Sequence, residues 1–372
     1  MGGTSVRTVL FVVPTLKGGG AERVIVTLLR QLDPARFRMV LAVVDTTNPV
    51  YRSDVPAGVE FVDLGSTRLR SALPGLLRVV WRVRPDLVFS TISYLNLALI
   101  AMKPIMPRRS AFIGRESTIV TELIKPFKLR ALWRATYRAV YPRFDAVVCQ
   151  SRYMQTDLVE TYGMPREKTV VINNPVDLER VTGALETRRR RREPGGRLRL
   201  VCAGRLYPVK GYDLLLDALV LLRDLDVSLT IFGDGPLRAE VEARSAALGL
   251  ERVVTLAGFH ANPFRQIAEA DALVLSSRYE GFPNVVLEAL ACGIGVISTP
   301  AIGGVSEILE GVAGCVLADA VSAEALARAI RAWASRPFEG IDPSVLDKYQ
   351  LGEIAERYAQ LFERVCTARQ QR

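Results

Sequence analysis

The sequence predicts an α/β chain folded as two successive doubly wound parallel-sheet domains. Three observations point there. Short apolar runs alternate with longer helical patterns, the alternation breaks once and then restarts, and glycine-bearing turns follow several of the runs. Strands that are apolar on both faces and separated by helices belong to a parallel sheet covered on each side. With 372 residues and a prior of ~150 residues per domain, the chain has room for two or three domains.

The first half reads as strands at Val6–Val13, Phe37–Val44, Leu87–Ser90, Ala111–Ile113 and Ala146–Cys149, with an amphipathic helix at Ala21–Leu32. The pattern breaks between Leu185 and Arg197, where the run Arg188–Arg192 precedes Glu193, Pro194, Gly195 and Gly196; this composition suits a solvated linker. The alternation then resumes. Strands are expected at Leu198–Cys202, Val227–Phe232, Val253–Ala257, Ala272–Leu275 and Gly295–Ser298, and helices at Tyr212–Leu222, Pro236–Leu248 and Asn284–Cys292. The expected division is therefore a first domain over 1–185, a linker over 186–197, a second domain over 198–350 and a terminal helix over 351–372. Periodicity does not say which domain that helix joins. Two such domains would leave a crevice between the carboxyl ends of their sheets, where these folds bind ligands.

Composition narrows the function classes. Hydrophobic residues make up 49% and charged residues 24%, which excludes disorder. The five cysteines stand singly in apolar surroundings and there is one histidine, so no metal site is expected and buried free thiols in a reducing, cytoplasmic compartment are. Met1 to Arg7 does not make a signal peptide. The longest membrane-like run, Asp86 to Lys103, is too short to span and is broken by Ser90, Thr91, Ser93 and Asn96, so it reads as a strand and the helix after it. The net charge of +10 comes without any nucleic-acid signature, and no nucleic-acid partner is expected. A phosphorylated ligand or an anionic membrane fits the charge equally well.

Three stretches carry chemistry. Lys17-Gly18-Gly19-Gly20-Ala21-Glu22-Arg23 follows a strand and opens a helix, so its glycines admit close approach and the first-turn N–H groups favour an anion; a tight turn without a ligand is the plain alternative. Gly204-Arg205-Leu206-Tyr207-Pro208-Val209-Lys210-Gly211 occupies the same position in the second domain. Its arginine fork and mobile lysine suit a diphosphate, against the alternative of two solvated cations. In Glu280-Gly281-Phe282-Pro283-Asn284-Val285-Val286-Leu287-Glu288, one carboxylate sits in the loop before a helix and the other about two turns in. Two carboxylates at a sheet edge can read hydroxyl groups, and Glu288 lies among apolar neighbours where a charge needs a partner. Gly233-Asp234-Gly235-Pro236 reads as a structural turn, and His260, in a polar turn, is not assigned as a base.

In their order along the chain, these stretches resemble the retaining glycosyltransferases of family 4, which have the GT-B architecture of two Rossmann-like domains. The resemblance runs from about Val9 to Leu309, and Asn173-Asn174-Pro175-Val176-Asp177 adds to it. It implies transfer of a hexose or N-acetylhexosamine from a nucleotide-diphosphate sugar, UDP-linked with GDP as the alternative, to a saccharide or lipid-linked acceptor, without metal or other cofactor. It implies that Arg205, Lys210 and Glu280 are the catalytic groups. The donor would be held by Gly19, Gly20, Arg205, Lys210, Phe259, Glu280, Gly281, Phe282, Glu288, Gly303 and Gly304. Glu280 would contact the transferred sugar and Glu288 the ribose, and the terminal helix would cross back to the first domain. Many members carry a first-domain histidine near the sugar. Here that domain has none and the region reads Gly114-Arg115-Glu116-Ser117-Thr118, so Arg115 and Glu116, together with Glu22, are the sugar-reading or acceptor candidates. The rival readings are a nucleotide-sugar 2-epimerase, weakened by the same missing histidine, a phosphorylase-like enzyme, and a non-catalytic scaffold of the same shape.

One further segment concerns location. Residues 125–138 interleave Lys125, Lys128, Arg130, Arg134 and Arg138 with Phe127, Leu129, Leu132, Trp133 and Tyr137. Such a face can lie peripherally on the cytoplasmic, anionic leaflet of a membrane, or it can pack on its own domain with a solvated positive side.

Overall fold

A computed structural model describes residues 6–184 and 196–371. The chain forms two compact units, Met1–Pro175 with Leu351–Arg372, and Val176–Gln350. The expected linker lies outside the described residues over 186–195.

In the first unit, β1 (Arg7–Thr15), α1 (Gly20–Gln31), β2 (Phe37–Asp45), β3 (Glu60–Asp63), α2 (Leu69–Val83), β4 (Leu87–Thr91), α3 (Ser93–Met102), β5 (Ala111–Arg115), α4 (Val120–Ile124), α5 (Arg130–Val140), β6 (Ala146–Cys149), α6 (Arg152–Thr156) and β7 (Thr169–Val171) follow one another. The seven strands are ordered β3-β2-β1-β4-β5-β6-β7 and every pairing is parallel. Val9 to Val12 of β1 are fully buried, as a central strand covered on both faces must be. The order reverses between β1 and β4, so the loops leaving those strands diverge and open a crevice at the carboxyl edge.

The C-terminal helix, Leu351–Gln370, completes this unit's core. Its apolar face delivers Ile354, Tyr358 and Phe362, all without solvent exposure. The Phe362 ring lies 5.3 Å from Phe89, 6.0 Å from Phe37 and 6.1 Å from Phe11. On the outer face, Arg36 pairs with Glu356 and Glu363.

The second unit begins with α7 (Leu178–Thr182), whose first turn is capped by the Asp177 carboxylate accepting from the Arg180 N–H. Val176 and Val181 are buried in this unit's core, which is why the first unit ends at Pro175 rather than at 185. Then come β8 (Leu198–Ala203), α8 (Tyr212–Val220), β9 (Val227–Phe232), α9 (Arg238–Ala247), β10 (Val254–Gly258), α10 (Phe264–Ala268), β11 (Ala272–Leu275), β12 (Tyr279–Glu280), α11 (Asn284–Ala291), β13 (Gly295–Ser298), β14 (Ile302–Gly303), α12 (Val305–Leu309), β15 (Val316–Leu317) and α13 (Ala323–Ala334). The sheet order is β10-β9-β8-β11-β13-β15, again parallel throughout, with its reversal between β8 and β11. A separate two-stranded ribbon joins β12 to β14. Each unit is thus a doubly wound Rossmann-like α/β fold, as the alternation of apolar runs predicts, and together they are the GT-B architecture.

Candidate functional site

The reversal point of the second sheet selects two loops, residues 204–211 after β8 and 276–280 after β11. The first carries Arg205 and Lys210, the second Glu280. Glycine shapes the approach between them. Gly211 has φ +64°, and a Cβ there would stand 2.1 Å from the Ser276 carbonyl oxygen, so only glycine lets the two loops touch. Gly233 plays the same part beneath Arg205: a Cβ would meet the Gly204 carbonyl at 1.9 Å, which makes Gly233-Asp234-Gly235 the structural turn expected of it.

Lys210 and Glu280, 70 residues apart in sequence, form an ion pair with Nζ to Oε1 at 2.6 Å. The same Oε1 accepts from the buried Ser277 hydroxyl at 2.6 Å. Glu280 lies in β12 opposite Gly303 of β14, and the Gly304 N–H donates to its carbonyl at 3.2 Å. The glycine loop at 303–304 is therefore a direct neighbour of the Glu280 backbone. Arg205 is exposed, while the adjoining Leu206 is buried and its N–H donates to the Asp234 carbonyl. The backbone beneath Arg205 is thus fixed, and the residue itself lies at the surface.

The remaining second-domain candidates divide by exposure. Glu288 is half-buried on α11, between the buried Leu287 and Ala289. Gly281 is buried beside Glu280, and the Phe282 ring is turned into the core against Tyr349 at 5.6 Å. A ligand could meet Phe282 only through its backbone. Phe259 is exposed at the end of β10. His260 packs edge-on against Phe232, and its Nε2 lies 3.2 Å from the Ala257 carbonyl.

In the first unit the glycine loop behaves as a strand-to-helix turn with charged sides. Gly18 takes φ +101°, Gly19 is the buried N-cap of α1 and Gly20 its exposed first residue. Glu22 in the first turn is buried and accepts from the Thr15 hydroxyl. Lys17 pairs with Asp45 at 2.6 Å, and that ammonium and Thr47 bring the Asp45 carboxyl down to about 2. Neither Lys17 nor Asp45 was singled out by the sequence as a pair, because a contact between β1 and β2 loops is not written in either stretch alone.

Arg115 and Glu116 are both fully buried at the carboxyl end of β5. The Arg115 guanidinium donates to Tyr358 Oη at 3.1 Å, Thr91 Oγ1 at 3.1 Å and Asn174 Oδ1 at 2.5 Å. The Glu116 carboxyl receives Asn96 Nδ2 at 2.8 Å and the hydroxyls of Ser93 and Tyr141. Burial pushes its pKa above the ordinary 4.5 against these hydrogen bonds. Gln150 ties the groups together, donating to the Glu116 carbonyl and accepting from Asn174. With their polar atoms committed inside the unit, the two side chains brace the sheet edge.

The segment 125–138 packs on its own domain only through its C-terminal end, where the Tyr137 ring lies 4.7 Å from Tyr141 and 5.4 Å from Tyr162 and Arg138 Nε donates to the Thr161 carbonyl. Residues 125–135 are all exposed, including Leu129 at 64% and Leu132 at 61%, and Tyr137 is the buried residue of α5. Among the described residues no helix is long and apolar enough to cross a membrane, and no group of three or more His, Cys, Asp or Glu is placed to hold a metal ion.

Comparison with known proteins bears on this arrangement. The profile of "Glycosyltransferase Family 4" matches residues 18–180, and that of "Glycosyl transferases group 1" matches residues 197–336. A GDP-mannose-dependent alpha-(1-6)-phosphatidylinositol monomannoside mannosyltransferase of Mycolicibacterium smegmatis is 30% identical over 257 residues, covering 64% of this chain and 67% of that enzyme. The N-acetylgalactosamine-N,N'-diacetylbacillosaminyl-diphospho-undecaprenol 4-alpha-N-acetylgalactosaminyltransferase of Campylobacter jejuni is 32% identical over 170 residues, 45% of each chain, so the match spans less than half of that enzyme's length. Anabaena HepE, solved in complex with UDP and glucose, has a TM-score of 0.71 at 21% identity, covering 98% of both chains, a likeness of fold. With both halves matched in sequence and both sheets wound as described, the chain belongs to the GT-B glycosyltransferases related to family 4 and group 1.

Proposed function

We propose that the chain is a retaining hexosyl- or N-acetylhexosaminyltransferase that uses a nucleotide-diphosphate sugar, UDP-linked, and a saccharide or lipid-linked acceptor. The observation that carries this reading is the Lys210–Glu280 pair at the reversal point of the second sheet, with Arg205 on the same loop. In this reading the second unit holds the donor and the first the acceptor. Arg205 and Lys210 neutralise charge on the diphosphate as the bond from the anomeric carbon to the β-phosphate oxygen breaks. The acceptor oxygen bonds to that carbon on the same face, and its proton passes to the departing phosphate oxygen. Glu280 accepts a hydroxyl of the transferred sugar, Glu288 the ribose hydroxyls, and Gly303 and Gly304 pass beside the sugar. Gly281, Phe259 and the Phe282 backbone complete the donor contacts of the second unit. Arg115 and Glu116 act by position, and Glu22 faces the acceptor. The chemistry calls on no metal or other cofactor.

UDP is favoured by the likeness to a fold solved with UDP, and GDP by the mannosyltransferase relative. Incubation with UDP-glucose, UDP-N-acetylglucosamine and GDP-mannose, followed by assay of nucleotide release and of transfer to lipid-linked saccharides, tests the reading. Release of nucleotide from one of them is expected. Conversion of a donor to its 2-epimer, or no binding of either UDP or GDP, would sink it.

The site of action we propose is the cytoplasmic face of an anionic membrane, reached through 125–138. The exposed Leu129, Leu132, Trp133 and Phe127 supply apolar area, and five cations flank them. Each basic residue near an anionic leaflet contributes ~1 kcal/mol. The chain should float with phosphatidylglycerol vesicles at low salt and detach as salt screens the charge. Failure to float at low salt contradicts this placement without touching the proposed reaction.

A further inference from the structure

The Lys210 loop is held by more than its own turn. From the neighbouring loop, the Arg278 guanidinium reaches both ends of it: Nη1 donates to the Pro208 carbonyl at 2.9 Å and to Asp213 Oδ1 at 3.0 Å, while Nη2 donates to Asp213 Oδ2 at 2.6 Å. Pro208 opens the short turn that carries Lys210, and Asp213 lies in the first turn of α8 just beyond it. Two more bonds fall between these points. The Arg278 N–H donates to the Val209 carbonyl at 2.8 Å, and the Ser276 hydroxyl donates to the Lys210 carbonyl at 2.8 Å. Bonds to four residues, Pro208, Val209, Lys210 and Asp213, therefore tie 208–213 to 276–278, and Glu280 lies two residues further on.

We infer that Arg278 and Asp213 are positioning residues that set Lys210 against Glu280 and so align the ammonium with the donor diphosphate. The inference rests on the proposed donor role of Lys210 and deepens it. Arg278 is suited to the task because a planar fork can bridge a carboxylate and a carbonyl at fixed angles, which a lysine cannot. The pair itself is open to water, with side chains 40% and 45% exposed, so an exposed ion pair of this kind adds little to global stability. Its value lies in the geometry of a neighbour. A small misplacement of a group that must meet developing charge costs tenfold or more in rate, on the order of 100-fold for about 1 Å.

The test is a double-mutant cycle on nucleotide release from the three donors named above, read with the thermal transition. Arg278→Ala and Asp213→Ala should each lower kcat about tenfold with an unchanged transition and a KM moved much less. Arg278→Lys, which keeps the charge and loses the fork, should stay slow. In a Lys210→Ala background neither substitution should slow the enzyme further, because the group they align is gone. Equal fold-losses in both backgrounds, or a wild-type rate for Asp213→Ala, would overturn the inference; a slow Arg278→Ala with equal losses in both backgrounds would mean that Arg278 acts independently of Lys210. A wild-type rate for Lys210→Ala would instead refute the donor role, and the positioning role with it. A crystal structure of Arg278→Ala provides a readout that needs no donor. Lys210 should be split over conformers or drawn more than about 4 Å from Glu280, beyond ion-pair contact, and an unchanged 2.6 Å pair would overturn the inference.

Discussion

Lys210→Ala is expected to lower turnover by about 100-fold or more while leaving the fold intact. Removing one preorganised donor to a developing anion costs ~3 kcal/mol in comparable sites, a factor of at least 100 in rate. Lys210 meets that description in the proposed mechanism, because diphosphate charge grows as the sugar bond breaks and the ammonium is already held in place at Glu280. The loss should fall on kcat more than on KM, since the interaction strengthens in the transition state. Arg205→Ala should behave alike, and Glu288→Ala should differ. A ribose contact is equally strong in ground and transition states, so its loss raises KM and keeps kcat. Steady-state kinetics on the active donor, with the thermal transition as a control, separates these patterns. Near wild-type rates for both Arg205→Ala and Lys210→Ala would remove the donor site from this loop.

Phe362→Ala is expected to cost the first unit about 3–5 kcal/mol, the usual range for emptying a buried phenylalanine site. The ring is fully buried and touches Phe11, Phe37, Phe89 and Tyr358, with ring centroids 5.3–6.1 Å away. The cavity would open where the C-terminal helix meets the central strands β1 and β4. The Arg115–Tyr358 hydrogen bond lies on the same helix, so loosening the helix also exposes a buried guanidinium to loss of a partner. At ~2–4 °C per kcal/mol for a domain of this size, the first unit's transition should fall by roughly 6–20 °C. Calorimetry should show that transition moving while the second unit's stays. A single unshifted transition would mean that the helix adds little to the core.

How far these sites can be read without a fold differs from one to the next. Both sheets are legible because uniformly apolar runs such as Val9–Val13 and Ala272–Leu275 fit strands covered on two faces. The short elements are not. β12 and β14 hold two residues each, too few for any periodicity, and β3 is a half-buried edge strand with a mixed pattern. The helix α13 carries a Ser322 cap and an apolar stripe but no residue with a chemical role. Arg278 and Asp213 read as ordinary surface charges until their loops are placed side by side.

What the sequence by itself determined is local: which segments are strands and helices, where the glycine turns fall, and the order Arg205, Lys210, Glu280 and Glu288 along the second half. Tertiary structure decided what meets. Lys210 touches Glu280 because β8 and β11 are neighbours at the reversal of the sheet, although β9 and β10 separate them in the chain. The terminal helix belongs to the first unit because Phe362 fits among Phe11, Phe37 and Phe89, a complementarity between residues hundreds of positions apart. Arg115 and the Phe282 ring look available in sequence and are buried in the fold. Hydrophobic periodicity is set by each segment's own residues, whereas strand order, burial and the pairing of charges depend on long-range packing that no single segment encodes.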